Sequence, residues 1–239
     1  MVIPLLALLT IVLGLAVGLH AADWGKAFTN LAVFLSNISL EPEVLHAALY
    51  ALYETLVMSI FATAAAVLIS VPLAGLSAGN LSPTPLAITV RSIATFFRTI
   101  PALLWAVVAV VMFGPGQVAG ALALTIYSVG YLTKLYYETF ENVDAGFLDA
   151  MRAMGARGIK LIHLTYLQQR RQFITNTIFI FEYNVRTATI IGFVGAGGVG
   201  YYIAQYLSLL RYDAVVTIVL ITLVFVLALE GISYLARRR

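Results

Sequence analysis

The chain has 239 residues, of which 62% are hydrophobic and only 10% charged, with a mean hydropathy of +0.97. Soluble domains carry roughly a quarter of their residues as charges, so this composition excludes an ordinary soluble protein and marks a chain that crosses a membrane several times. The net charge of +3 comes without any basic run interleaved with aromatics, which leaves no argument for nucleic acid, and the absence of cysteine excludes disulfides, thiolate metal sites and a cysteine nucleophile.

A bilayer core about 30 Å thick needs about 20 apolar helical residues. Six stretches meet that requirement: residues 3–19, 55–78, 93–113, 118–136, 173–191 and 214–235. The first has no basic leader and no small-residue cleavage site before Asp23, so it reads as a retained helix rather than a signal peptide. Residues 27–40 are too short to span and suit a membrane interface. The second span ends at Gly79-Asn80 and the Ser82-Pro83-Thr84-Pro85 turn. The third runs across Pro101, with Arg98 as an anchor at its cytoplasmic end, and Gly114-Pro115-Gly116 turns the chain into the fourth.

Lys and Arg collect on the cytoplasmic side of membrane proteins. With the N-terminus inside, only Lys26, Arg186 and Arg211 of the 14 basic residues fall outside. Arg91, Arg98, Lys134, Arg152, Arg157, Lys160, Arg170, Arg171 and Arg237-Arg238-Arg239 fall inside, which predicts both termini in the cytoplasm. The histidines His20, His46 and His163 are far apart and have no carboxylate at ligand spacing, so they read as isolated polar residues.

The charge-dense interval 138–171 then lies in the cytoplasm, and it is longer than a connection needs to be. Asp144 suits an N-cap and Gly155 the position after a helix end, which frames a helix of about ten residues. Phe147, Met151 and Met154 fall on one face, with Asp149 and Arg152 off it. Such a face either enters a partner's groove or packs on the protein's own core, and periodicity leaves both open.

Further on, Gly195-Ala196-Gly197-Gly198-Val199-Gly200 satisfies G-x-G-x-x-G. The dinucleotide fingerprint needs a βαβ unit, for which this chain has no soluble length. At the outer end of the fifth span, in the loop 192–200, broken backbone must be buried in protein or line a cavity. Glu182 and Arg186 lie four apart and pair on one helical face. Arg186, with Asn184, either faces a pathway and meets an oxyanion or belongs to a structural ion pair; ionisable groups at this depth carry function by default.

Asp149-Ala150-Met151-x-x-x-Gly155 resembles the Glu-Ala-Ala-x-x-x-Gly loop of bacterial ABC-importer permeases. From Glu54 onward the chain looks most like the phosphonate-type permeases. The matching features are Glu54-Thr55, Arg98-Thr99-Ile100-Pro101, Leu104-Trp105-Ala106, Gly114-Pro115-Gly116, Glu182-x-Asn184-Val185-Arg186 and the glycine-rich run. Asp149 and Met151 depart from the loop motif, and Gln168 stands where the family has proline, which lets a helix run on into the fifth span.

The resemblance implies an all-α, six-helix permease of type I ABC importer architecture, one transmembrane domain over residues 1–239, in the bacterial cytoplasmic (inner) membrane. It implies import of phosphonate or a related phosphorus oxyanion, with a methionine-type or other small-solute importer as the alternative. The chain would be a transport subunit, not an enzyme, with no cofactor of its own. ATP and Mg would bind two partner ATPases, and a second permease copy and an external substrate-binding protein would complete the assembly.

The coupling residues would be Phe147, Asp149, Ala150, Met151, Arg152, Met154 and Gly155. The pathway and gate residues would be Glu182, Asn184, Arg186, Gly195, Gly197 and Gly198. The residues themselves add that no G-x-x-x-x-G-K-[ST] phosphate loop is present. A secondary transporter would carry acids at mid-membrane, whereas Glu182 and Glu230 each lie toward a helix end.

Overall fold

The computed structural model describes residues 6, 9–10, 12–15, 17–18 and 21–238, with side chains to residue 235. The first expected span falls largely outside the described residues, as do His20, Arg239 and the side chains of Arg237 and Arg238. Among the described residues every regular element is helical.

Helix α1, Trp24–Ser36, is capped by the Asp23 carboxylate, which accepts from the Lys26 N–H at 3.0 Å, and none of its residues is buried. It is too short to cross a bilayer and fits the expected interfacial segment. Helix α2, Pro42–Ser77, opens with proline in the first turn, where the missing N–H costs no hydrogen bond. Its 36 residues extend about 54 Å. The expected start at residue 55 is therefore corrected to 42, and Glu54 becomes the thirteenth residue of a membrane helix rather than its doorstep.

The third expected span is broken. Helices α3, Thr84–Thr99, and α4, Ala102–Phe113, meet at an 82° bend. Pro101 has no N–H to continue α3 and drives Ile100 to extended backbone, φ −79° and ψ 121°. The bend is pinned where Trp105 Nε1 donates to the Phe97 carbonyl at 3.1 Å. Gly130 of α5 also holds it, since a Cβ there would come within 2.7 Å of the Ala94 carbonyl.

Helix α5, Gln117–Glu141, is followed by the short α6, Ala145–Ala153, and by α7, Ile159–Ile191. Gln168 lies inside α7, so the helix does run from the polar interval into the membrane, and the interval itself reduces to residues 142–158 between two long helices. A 3-10 turn, Gly192–Val194, leads to α8, Gly198–Ser208, and the chain closes with α9, Tyr212–Arg238.

Among the described residues four stretches are long and apolar enough to cross a membrane: Pro42–Ser77, Gln117–Glu141, Ile159–Ser208 and Tyr212–Leu235. The bent pair makes a fifth. The glycine-rich loop interrupts one apolar column of 50 residues, Ile159–Ser208.

Helices α2, α5 and α7 form the core. Ala51, Ala62, Ala66, Ala123 and Ala188 are fully buried, and small residues let membrane helices approach closely. One polar knot ties all three. The Asn184 amide donates to Thr63 Oγ1 at 3.0 Å and accepts from Ser128 Oγ at 2.8 Å, with no part of Asn184 exposed.

Candidate functional site: a helical handle and a capped helix break

Asp144 caps α6 as expected, accepting from the Phe147 N–H at 3.0 Å, and Gly155 ends it at φ +83°. The expected apolar stripe divides. Leu148 is buried with Val143, Ala156 and Leu161, and Phe147 and Met151 pack against that cluster. Met154 stays 67% exposed. The surface left open consists of Asp149, Ala150, Arg152, Ala153, Met154 and Gly155. Docking and internal packing are thus shared out around one helix, and the free face mixes small residues with Asp149, Arg152 and Met154.

Arg152 fastens this handle. Its Nη2 donates to the Asn80 carbonyl at 2.7 Å, and Nη1 pairs with Asp149 at 3.4 Å. Asn80 in turn donates to the Phe140 carbonyl at 2.8 Å, while Glu141 accepts from the Gly79 N–H at 2.8 Å and pairs with Arg91. The handle, the turn between α2 and α3, and the end of α5 are therefore one connected body.

The second feature lies farther along the same helices. Gly195, Gly197 and Gly198 have φ of +89°, +80° and +70°, which L side chains seldom adopt. At Gly198 a Cβ would also fall 2.7 Å from Thr55 Oγ1 and 2.8 Å from Met58 Cε. The break exposes the first N–H groups of α8 inside the bundle, where an orphan donor is costly. Helix α2 supplies the caps: Glu54 Oε2 accepts from Gly198 N–H at 3.1 Å and Thr55 Oγ1 from Val199 N–H at 3.0 Å.

The other Glu54 oxygen accepts from Gln117 Nε2 at 2.7 Å. A carboxylate at a helix N-terminus is also favoured by the helix dipole. Gly116 N–H donates to the Gly195 carbonyl at 2.8 Å, so the start of α5 closes the other side. Beside these contacts lies a cleft of about 500 Å3, lined among others by Glu54, Gln117, Gly197, Tyr201 and Tyr202. Glu54 is the residue that reading the chain for spans misplaced. The available signal was Pro42, whose place at a helix start puts Glu54 deep within the helix.

The expected Glu182–Arg186 pair is present at 3.7 Å and gains a third member, Glu230 of α9, at 3.8 Å. Arg186 keeps a side chain 46% exposed. Asn184 is fully buried, with its amide hydrogen-bonded to Ser128 and Thr63 inside the bundle.

A family described as "binding-protein-dependent transport system inner membrane component" matches residues 70–239. The phosphate-import permease protein PhnE of Mycolicibacterium smegmatis is 34% identical over 215 residues, 89% of this chain and 40% of that protein. The phosphite transport system permease protein PtxC of Stutzerimonas stutzeri is 36% identical over 189 residues, 78% of this chain and 69% of that protein. The chain thus spans well under half the length of the first relative and about two thirds of the second. Among solved structures, an inward-facing MetNI methionine ABC transporter superposes with a TM-score of 0.73 at 20% identity, over 83% of this chain and 98% of that one. That likeness is one of fold.

Proposed function

Because the chain belongs to the binding-protein-dependent transport system inner membrane component family, we propose that it is the membrane-spanning permease of an ATP-driven importer for phosphorus oxyanions, phosphonate or phosphite among them. The observation that carries the reading is α6: a short capped helix outside the spans, open along Asp149, Ala150 and Arg152 to Gly155 and tied by Arg152 and Asn80 to the turn between α2 and α3 and to the end of α5. The relatives named for phosphate and phosphite support the substrate class.

In this reading two copies of the chain, each with both termini in the cytoplasm of a bacterial inner membrane, enclose the pathway. Two ATPases hold ATP and Mg and grip Asp149, Ala150, Arg152, Met154 and Gly155. An external binding protein delivers the solute. The chain itself catalyses no reaction; its residues transmit movement. When the ATPases close, α6 moves, and the Arg152–Asn80 and Asn80–Phe140 contacts carry the displacement into α2, α3 and α5 as a rigid body. Gly195, Gly197 and Gly198 provide the break at which α8 parts from α7, and Arg186, paired with Glu182 on its own helix, reaches Glu230 of α9 beside it.

Glu54 is not a coupling-ion site in this scheme, since both its oxygens are engaged by Gln117 and Gly198. The test is reconstitution with candidate ATPase and binding-protein partners, followed by uptake of phosphite, phosphonate, phosphate and methionine. ATP-dependent uptake of a phosphorus oxyanion is expected. Uptake by the chain alone under an ion gradient, or ATP-driven uptake of methionine only, overturns the proposal.

A further inference from the structure

Arg98, expected at the cytoplasmic end of a span, is the penultimate residue of α3 and sits at the 82° bend instead. It lines a cleft of about 310 Å3 with Thr99, Leu103, Tyr127, Thr187 and Ile191 among its other walls. Tyr127 is the eleventh of the 25 residues of α5, and Ile191 is the last of α7 before the glycine break. The cleft therefore lies at mid-span, between the handle and the capped break. A guanidinium at that depth is costly unless it is paired or meets water or solute.

Arg98 has no carboxylate partner within 4.0 Å among the described residues. Its Nε is buried with no hydrogen-bond acceptor, and its Nη2 reaches only Thr95 Oγ1 at 3.5 Å. Two further features give the cleft the same sign. Helix α4 begins beside it, with Ala102 and Leu103 among the lining residues and no side-chain cap, so the positive end of its dipole lies next to the same space. The hydroxyls of Tyr127, Tyr183 and Thr187 belong to residues on its walls. A broken backbone at membrane depth also has to be buried in protein or line an aqueous cavity.

We infer that this cleft is an oxyanion subsite of the translocation pathway, in which the Arg98 guanidinium, beside the start of α4, takes a tetrahedral phosphorus oxyanion between the glycine break and the cytoplasm. The inference rests on the phosphorus-oxyanion reading above and adds the residues that would contact the solute. One unpaired guanidinium attracts an anion without enclosing it, which suits a site that must also release.

The test uses the full assembly in proteoliposomes with inorganic phosphite, scoring uptake per ATP hydrolysed, the hydrolysis rate stimulated by the loaded binding protein, and thermal stability. Arg98→Gln is expected to lower phosphite uptake per ATP roughly ten- to a hundredfold, the worth of one charge-assisted hydrogen bond, with stimulated hydrolysis retained. Arg98→Lys, which keeps the charge but loses the planar fork, is expected to fall between. Should the Arg98 variants fail to fold, Leu103→Asp against Leu103→Asn decides, the added negative charge being expected to lower uptake at least severalfold more than the neutral amide.

Uptake per ATP unchanged in Arg98→Gln, or equal in the two Leu103 variants when only those fold, overturns the subsite while leaving the transporter reading intact. A wild-type assembly that imports methionine but no phosphorus oxyanion sinks both.

Discussion

Removing the Glu54 carboxylate is the sharpest test of the capped break. In Glu54→Ala the Gly198 N–H and the Gln117 amide both lose their acceptor in a site where the carboxylate was only 8% exposed. An orphaned buried donor costs about 1–3 kcal/mol, and the Gly198 N–H is that donor, since the half-buried Gln117 amide lines the cleft and meets water there; Thr55 still caps Val199. For a chain of this size about 1 kcal/mol lowers Tm by roughly 2–4 °C. Thermal unfolding of the reconstituted protein should then show a loss of at least about 2 °C. Glu54→Gln keeps one acceptor oxygen but turns an NH2 toward the other donor, so about half the loss is expected. A Glu54→Ala protein that melts within about 1 °C of wild type would refute the capping argument, because the Gly198 N–H would then have found another acceptor.

Three further outcomes are expected. A Cβ at Gly155 meets no atom within 4 Å, so the main cost of Gly155→Ala is the left-handed backbone at φ +83°, about 1–2 kcal/mol; the protein should fold but hydrolyse ATP without matching uptake, and normal coupling would count against α6 as the handle. Arg186→Glu replaces ion pairs at 3.7 and 3.8 Å by like-charge contacts with Glu182, whose side chain is only 5% exposed, and with Glu230, so a loss of stability is expected in any case; uptake per folded molecule falling as well supports a pathway role, whereas a lower Tm with uptake per folded molecule intact supports a structural tie. Asn184→Leu leaves the buried Ser128 hydroxyl without its acceptor and should cost about 1–3 kcal/mol in thermal unfolding, and an unchanged Tm would remove the knot from the list of stabilising contacts.

Composition and local pattern settled the membrane class, the helical content, the capped helix from Asp144 to Gly155 and the continuation of helix through Gln168. These depend on hydropathy, on caps and on the presence or absence of a backbone N–H, all of which are local. The sequence also showed that Glu182 and Arg186 can meet, since a spacing of four puts them on one face.

What needed the tertiary structure was every relation between helices. Pro101 signals a break, but its 82° angle depends on Trp105 reaching the Phe97 carbonyl and on Gly130 admitting α3. Periodicity put Phe147 and Met151 on one face and could not say that the face turns inward, because Leu81 reaches the same cluster from the turn between α2 and α3. Glu54 and Gly198 are separated by 144 residues, and only folding makes one the cap of the other. A span count weighs apolar length, so it places a lone carboxylate at the edge of a helix; the hydrogen bonds that admit Glu54 to the interior come from residues the count cannot see.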